Sequence, residues 1–346
     1  MMSRQRRADA LTRALAVLCL LAGCQTSSGA EGAPDVRASG LAPAEAGQLS
    51  RTGELQLRAG FLLASADPRF GSLSGLWFDP DGARLIAASD RGELWLADPV
   101  HADDGTLLGI EAWRAVAPAT LPGDPTHGKR DAEALAGIGA DLVIAYEGRH
   151  RLRRVPRSAP ERPATAVPAP PELAQPHNRG IEALAGLEDG ALLAIAEGIR
   201  RPSGDLAAWL IEDDRIAALA YVPAPGFAVT GADTLDDTVY VLERRLSLLG
   251  GLTARVVALD AVAIVPGARL VGRELGVLGP PAISDNFEGI AARRGPAGEV
   301  LLYLVSDDNQ SPLLRTVLLQ FAVRPDAIDP PRIAPSSRSS TNDCSP

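Results

Sequence analysis

Carboxylates recur in this chain in a fixed phrase. An acidic residue, a small residue and an aliphatic residue open a unit, an apolar strand follows, and the strand ends on another carboxylate. Glu133-Ala134-Leu135 leads to Glu147, Glu182-Ala183-Leu184 leads to Glu197, and Glu288-Gly289-Ile290 leads to Asp307. Two looser copies fit the frame: Ser74-Gly75-Leu76 leads to Asp90, and Asp233-Thr234-Leu235 leads to Glu243. Like charges gathered in one place repel, which raises some pKa values or demands cations. Hard oxygen ligands arriving from several directions suit calcium, which tolerates irregular coordination. Glu133, Glu182, Glu288 and Asp307 are therefore the candidate metal ligands and catalytic acids or bases, with Asn286, Asp308 and Asn309 as further oxygens. The alternative is structural: the same acids accept backbone amides and pair with arginines to hold the units together.

Arginines accompany the acids. Arg130 and Arg179 precede Glu133 and Glu182 by three; Arg91, Arg149, Arg200 and Arg244 follow Asp90, Glu147, Glu197 and Glu243 within three residues. Such pairs either neutralise a buried ring of carboxylates or offer guanidinium forks to a phosphate or carboxylate ligand. Arg91, Arg149 and Arg179 are the candidate anion binders; Arg244, just past a strand end, is a further one. His127 and His177 lie a few residues before Glu133 and Glu182, as general acids, metal ligands or plain loop residues. His101 and His150 carry no motif.

Other chemistries are absent. Lys129 is the only lysine, which disfavours a Schiff base or a phosphate loop of the Walker type. Gly71-Ser72-Leu73-Ser74-Gly75 has Leu73 where a nucleophile elbow needs serine. No His-Glu-x-x-His is present. Aromatic residues make up 4% of the chain, too few for a sugar-stacking platform, and Trp77, Trp95, Trp113 and Trp209 read as core. The net charge of −9 argues against a nucleic-acid partner.

The elements that would bring these acids together follow from the spacing. The opening residues 74, 133, 182, 233 and 288 are 59, 49, 51 and 55 apart, a length common for four-stranded propeller blades. Apolar runs inside each unit are short and bounded by turns such as Asp79-Pro80-Asp81-Gly82. The expected fold is all-β, a β-propeller. Strand-like residues 54–63 and 313–323 are left at the two ends, and pairing them in a last blade would close the ring and remove its exposed edge. Six blades are expected, with five or seven as alternatives. The Arg/Pro-rich residues 149–171 read as a solvated loop, and 156–176 and 247–281 as insertions.

The N-terminus reads as a targeting segment. Arg4, Arg6, Arg7 and Arg13 precede a short apolar run that ends Leu21-Ala22-Gly23-Cys24, which resembles a bacterial lipobox. Cys24 would carry lipid and hold the protein at the cell envelope by that anchor alone, on the periplasmic face or the outer membrane. Cys19 would leave with the signal peptide and Cys344 lies in the tail, so the body would contain no disulfide. The expected organisation is a signal peptide over 1–24, a flexible tether over 25–53, the propeller over 54–324 and a disordered tail over 325–346, with the protein a monomer.

The chain also resembles the phytase-like family, described as having esterase-like activity of phytase. The resemblance rests on Asp285-Asn286-Phe287-Glu288-Gly289-Ile290, on Ser306-Asp307-Asp308-Asn309-Gln310-Ser311-Pro312 with Arg315-Thr316, and on the earlier blocks Leu73–Leu76, 88–92 and 178–184. It implies a β-propeller related to calcium-dependent phytases, though lysine, which those propellers use beside arginine for phosphate, is scarce here. Two functions are thus in view. One is a calcium-assisted hydrolase of a phosphoester or other small-molecule ester at the channel mouth. The other is a non-catalytic propeller that binds a ligand or a protein.

Overall fold

The computed structural model describes residues 34–118, 131–174, 180–248 and 250–324. Its strands form five antiparallel sheets in chain order. Blade one holds Leu73–Phe78, Leu85–Ser89, Leu94–His101 and Leu107–Val116; blade two holds Ala132–Ile138, Asp141–Tyr146, Arg151–Pro156 and Thr165–Val167. Blade three runs Ile181–Gly186, Leu192–Arg200, Leu206–Glu212 and Arg215–Tyr221, with Arg269–Leu270 added in parallel at its rim. Blade four runs Ala228–Leu235, Thr238–Ser247, Gly251–Asp260 and Arg273–Leu278. Blade five begins with Asn286–Arg294, Val300–Asp307 and Thr316–Val323, and is completed from the other end of the chain by Leu55–Ser65 and Val36–Gly40.

The first strand of each blade touches the first strand of the next, and the fifth touches the first, so the inner strands form a closed ring. The protein is a five-bladed β-propeller. The expected closure holds: Leu55–Ser65 pairs antiparallel with Thr316–Val323, from Thr316↔Leu63 to Val323↔Leu55. Among the described residues there is no sixth blade. The unit that opens at Glu288 supplies only two strands before the end segments, so those segments complete it rather than adding to it.

Five apolar cores lie between neighbouring blades, each drawing side chains from two of them. The inner strands are rich in alanine and glycine because the wedge narrows toward the axis. Bulk sits further out, where Trp95, Trp209, Tyr221 and Tyr303 are fully buried. Trp77 and Trp113 are buried as well, so all four tryptophans belong to the core as expected. A side chain of this size contributes on the order of 2–3 kcal/mol when removed from water.

Two stretches differ from the sequence expectation. Residues 151–156, read as solvated loop, are the third strand of blade two; Leu152 and Val155 are buried while the intervening arginines stay near the surface. Charge on one face hid an ordinary half-buried strand. Residues 36–52, read as tether, form the rim strand Val36–Gly40, the helix Pro43–Leu49 and a short pairing of Arg51–Thr52 with Leu55–Gln56. Leu49 is the helix's one buried residue and joins the core between blades four and five. No described helix is long and apolar enough to cross a membrane. The lipobox, Cys24 and the tail from 325 lie outside the described residues.

Candidate functional site: an acidic ring at the channel mouth

The repeated phrase has a backbone cause. In every blade the inner strand slips register by one residue near its start: between Leu73 and Gly75, Ala132 and Ala134, Ile181 and Ala183, Val229 and Gly231, and Phe287 and Gly289. The skipped residues are Ser74, Glu133, Glu182, Thr230 and Glu288. A bulge frees one residue from the ladder and re-aims its side chain. Glu182 and Glu288 line the neck of the channel, which encloses only about 10 Å³, room for roughly one water.

A second tier sits at the end of each blade's second strand. Asp90, Glu147 and Glu197 each donate their backbone N–H to the residue two before the bulge: Ser72 O at 3.0 Å, Asp131 O at 2.8 Å and Gly180 O at 3.1 Å. In blades four and five the same pairing joins Arg244 to Ala228 and Asp307 to Asn286. Among the described residues the mouth thus gathers eight carboxylates, Asp90, Asp131, Glu133, Glu147, Glu182, Glu197, Glu288 and Asp307, with Arg244 set among them.

Blade four corrects the sequence reading twice. Asp233 is not its entry residue; Thr230 is, and its hydroxyl donates to Phe287 O at 3.1 Å. Asp233 lies three residues deeper, where its carboxylate accepts the amides of Ala292 and Thr234 and burial raises its pKa to about 7. Glu243 is one residue short of the mouth. It is fully buried, accepting from the Tyr221 hydroxyl at 2.6 Å and from Arg255 Nη1 at 2.6 Å. The copy was too loose for its register to be read: acid-Thr-Leu mimics the phrase, whereas the true copy, Thr230-Gly231-Ala232, contains no acid.

The strongest cation-holding group is Asp131, Glu133 and Glu147, whose oxygens lie within 4.8 Å of one another. Asp131 escaped the sequence reading, although it stands two before Glu133 as Asn286 stands two before Glu288. Burial pushes the Glu133 carboxyl well up, with Glu182 and Asp131 adding to it. Burial likewise raises Glu182, helped by Glu197 and Glu288, and raises Glu147, helped by Asp131 and Glu197. Asp90 is raised to about 6 by burial and then by Asp307 and Asp131. Asp307 is raised to about 7 by burial and then by Glu288. Five carboxylates raised together mark a place short of positive charge among the described residues. The donor set is all oxygen, it converges, and Glu182 accepts no hydrogen bond among the described residues, so these residues fit a hard cation such as calcium.

The other predicted residues separate. Glu288 accepts from Arg244 and from Asn286 Nδ2 at 2.8 Å, and burial outweighs these partners to raise its pKa. Asp307 accepts the Asn309 amide at 2.7 Å and Asn286 Nδ2 at 3.3 Å. Both belong to the mouth, but not to the tightest oxygen group. Asp308 is structural: its carboxylate accepts the amides of Ser72 and Gln310 and the Thr316 hydroxyl, tying blade five to blade one. Asn309 is exposed. Arg91 donates to Pro68 O and Arg149 is exposed, so neither is directed into the ring by a carboxylate partner. Arg130, Arg179, His127 and His177 lie outside the described residues.

The family model described as phytase-like, esterase-like activity of phytase, matches residues 68–310. This chain belongs to the phytase-like family. The match spans all of the ring residues named above. Among solved structures, a thermostable family-43 glycoside hydrolase is similar at TM-score 0.44 and 11% identity, covering 73% of this chain and 91% of that one. An endo-arabinase from Bacteroides thetaiotaomicron VPI-5482 is similar at 0.43 and 10%, covering 72% and 94%. The Myceliophteria thermophila Cps50 (Swd1) β-propeller domain is similar at 0.39 and 10%, covering 76% and 91%. The fold of this phytase-like chain rests on its own sheet pairing rather than on these likenesses. No curated protein matches it.

Proposed function

We propose that this phytase-like propeller is a calcium-assisted hydrolase of a small-molecule ester or phosphoester, working at the acidic mouth and held at the cell envelope by lipid on Cys24. The observation that carries the reading is the convergence of Asp131, Glu133 and Glu147 to within 4.8 Å beside a ring of raised carboxyls. Those three residues would hold the cation. Bound there, it would polarise an ester oxygen and lower the pKa of a water.

The chain's own residues divide the remaining work. Glu182 has no hydrogen-bond partner among the described residues and stands at the neck, so it is the group left to take or give a proton. Burial, with Glu197 and Glu288 beside it, raises its pKa and so favours its protonated form. Asp307 and Glu288 are held by Asn286 and shape the opposite wall.

The test is calcium binding by calorimetry on the body without lipid, together with turnover of phosphomonoesters, phytate and simple carboxylic esters in calcium and in chelator. Calcium-dependent turnover abolished by Glu133→Gln is expected. Calcium binding with no turnover on any ester would favour the non-catalytic binding propeller, and absence of calcium binding would remove the metal reading. Mass spectrometry of the mature N-terminus tests the lipid on Cys24.

A further inference from the structure

Blade four breaks the pattern of the ring in one particular way. At the strand-end position the other four blades carry Asp90, Glu147, Glu197 and Asp307; blade four carries Arg244. Its bulge position carries Thr230 in place of an acid. Among the described residues, the cation set among these carboxylates is therefore placed by the same backbone geometry that places the acids.

Arg244 is only partly used by the protein. Nη1 donates to both Asn286 Oδ1 and Glu288 Oε1. Nη2 lies 3.8 Å from Glu197 Oε1, too far for a hydrogen bond. Nε has no acceptor among the described residues. The Nε–Nη2 edge is the side of a guanidinium that grips a carboxylate or phosphate with two parallel hydrogen bonds. A counter-ion built only to quiet the ring would have both edges taken.

A recess lies among the neighbours of Arg244. A recess of about 220 Å³ between blades three and four is lined by Glu197, Gly198, Arg200 and Ala228. Ala228 is the register partner of Arg244, and Glu197 Oε1 lies 3.8 Å from Nη2. Arg200 stands exposed at the lip, with Nη1 donating to Gly204 O at 2.7 Å. The volume is below that of a drug-sized pocket and suits one small charged group.

We propose that Arg244 is the oxyanion anchor of this mouth: its Nε–Nη2 edge, hydrogen-bonded to no described residue, holds a phosphoryl or carboxylate group of the substrate, which enters through the recess between blades three and four. The proposal rests on the reading of the mouth as an ester-processing site and adds the charge class and entry side of the substrate. Repulsion from Glu197 and its neighbours opposes the anion, so a cation held by Asp131, Glu133 and Glu147 strengthens anchoring. Arg244 faces the acids of blades three and five, and an arginine keeps its charge throughout the working pH range.

The experiment titrates inorganic phosphate and, separately, acetate into the intact protein, in calcium and in chelator, by calorimetry. Arg244→Gln is expected to weaken the bound anion about tenfold or more. Arg244→Lys keeps the charge but lacks the fork, and is expected to weaken it nearly as much. Arg245→Gln, an exposed neighbour over the Phe227 ring, leaves binding unchanged. Preference for phosphate or for acetate tells which oxyanion the anchor serves. If Arg244→Gln does not fold by circular dichroism, Arg244→Lys decides. Wild-type affinity in the folded Arg244 variants, or no binding of either anion to the wild-type protein, overturns the anchor. The calcium isotherm is read separately, so loss of metal binding alone counts against the hydrolase reading and not against Arg244.

Discussion

Gly231 packs directly against Glu288: a methyl group at position 231 would stand 2.6 Å from the Glu288 carbonyl oxygen. The inner strands of blades four and five approach this closely only because one of them lacks a side chain. The mirror contact lies at Gly289, where an added carbon would meet the Leu76 backbone at 3.1 Å. Gly231→Ala is therefore expected to displace the blade-five bulge, cost about 1–3 kcal/mol, and loosen Glu288 from Arg244. Chemical denaturation should show the loss of stability, and phosphate binding should weaken with it. A variant of wild-type stability would show that the bulge tolerates a shift.

The pH dependence of metal-free protein should run opposite to that of most folded domains. Asp90 and Asp307 hold their protons more tightly folded, at about 6 and about 7, than at the ordinary 3.8. Their contribution to stability is complete below pH about 4 and is lost as pH rises through 6 to 7. Melting temperature in chelator should fall between about pH 4.5 and 7.5, and calcium at pH 7.5 should restore it by mass action. Asp90→Asn should flatten the slope. A melting temperature that climbs steadily to pH 8 without metal would contradict the assignment.

Acids inside and outside the ring should separate under mutation. Asp131→Asn and Glu133→Gln are expected to weaken calcium about tenfold or more while raising the melting temperature in chelator by roughly 2–4 °C, the effect of ~1 kcal/mol in a domain of this size. Glu243→Gln should do the reverse. It leaves Arg255 without its buried partner, at a cost of about 3 kcal/mol, with calcium affinity unchanged. Calorimetry and melts on the same three proteins decide the matter.

Asp308→Ala should disturb the mouth from behind. It removes the acceptor for the Ser72 amide at 3.1 Å and for the Thr316 hydroxyl at 3.3 Å. A loss of about 1–3 kcal/mol is expected. Amide exchange at Ser72 should speed up, whereas exchange in blade three should not change.

The propeller, its closure by the two ends, and most of the ring were legible because short apolar runs repeat at blade length and acids recur at matching places in them. Blade number was not, because a blade shared between the termini looks from the sequence like one blade plus a remainder. Asp131 gave no repeat signal because no other blade carries an acid there: the matching residues are Ser72, Gly180, Ala228 and Asn286. Thr230 was hidden because bulge position is a property of backbone pairing, and a threonine gives no hint of a site built from acids. The difference between Glu243 and Arg244 is one residue of register, which in a strand is the difference between core and channel.

The fifth sheet takes Thr316–Val323 from one end of the molecule and Leu55–Ser65 from the other. A product truncated between residues 308 and 315 would keep four complete blades and yet present two naked hydrogen-bonding edges, Val300–Asp307 and Leu55–Ser65, each ready to seize a strand from another copy. Incomplete chains would thus be sticky rather than merely inactive, and completion of the last eight-residue strand is what turns a potential aggregate into a self-contained molecule.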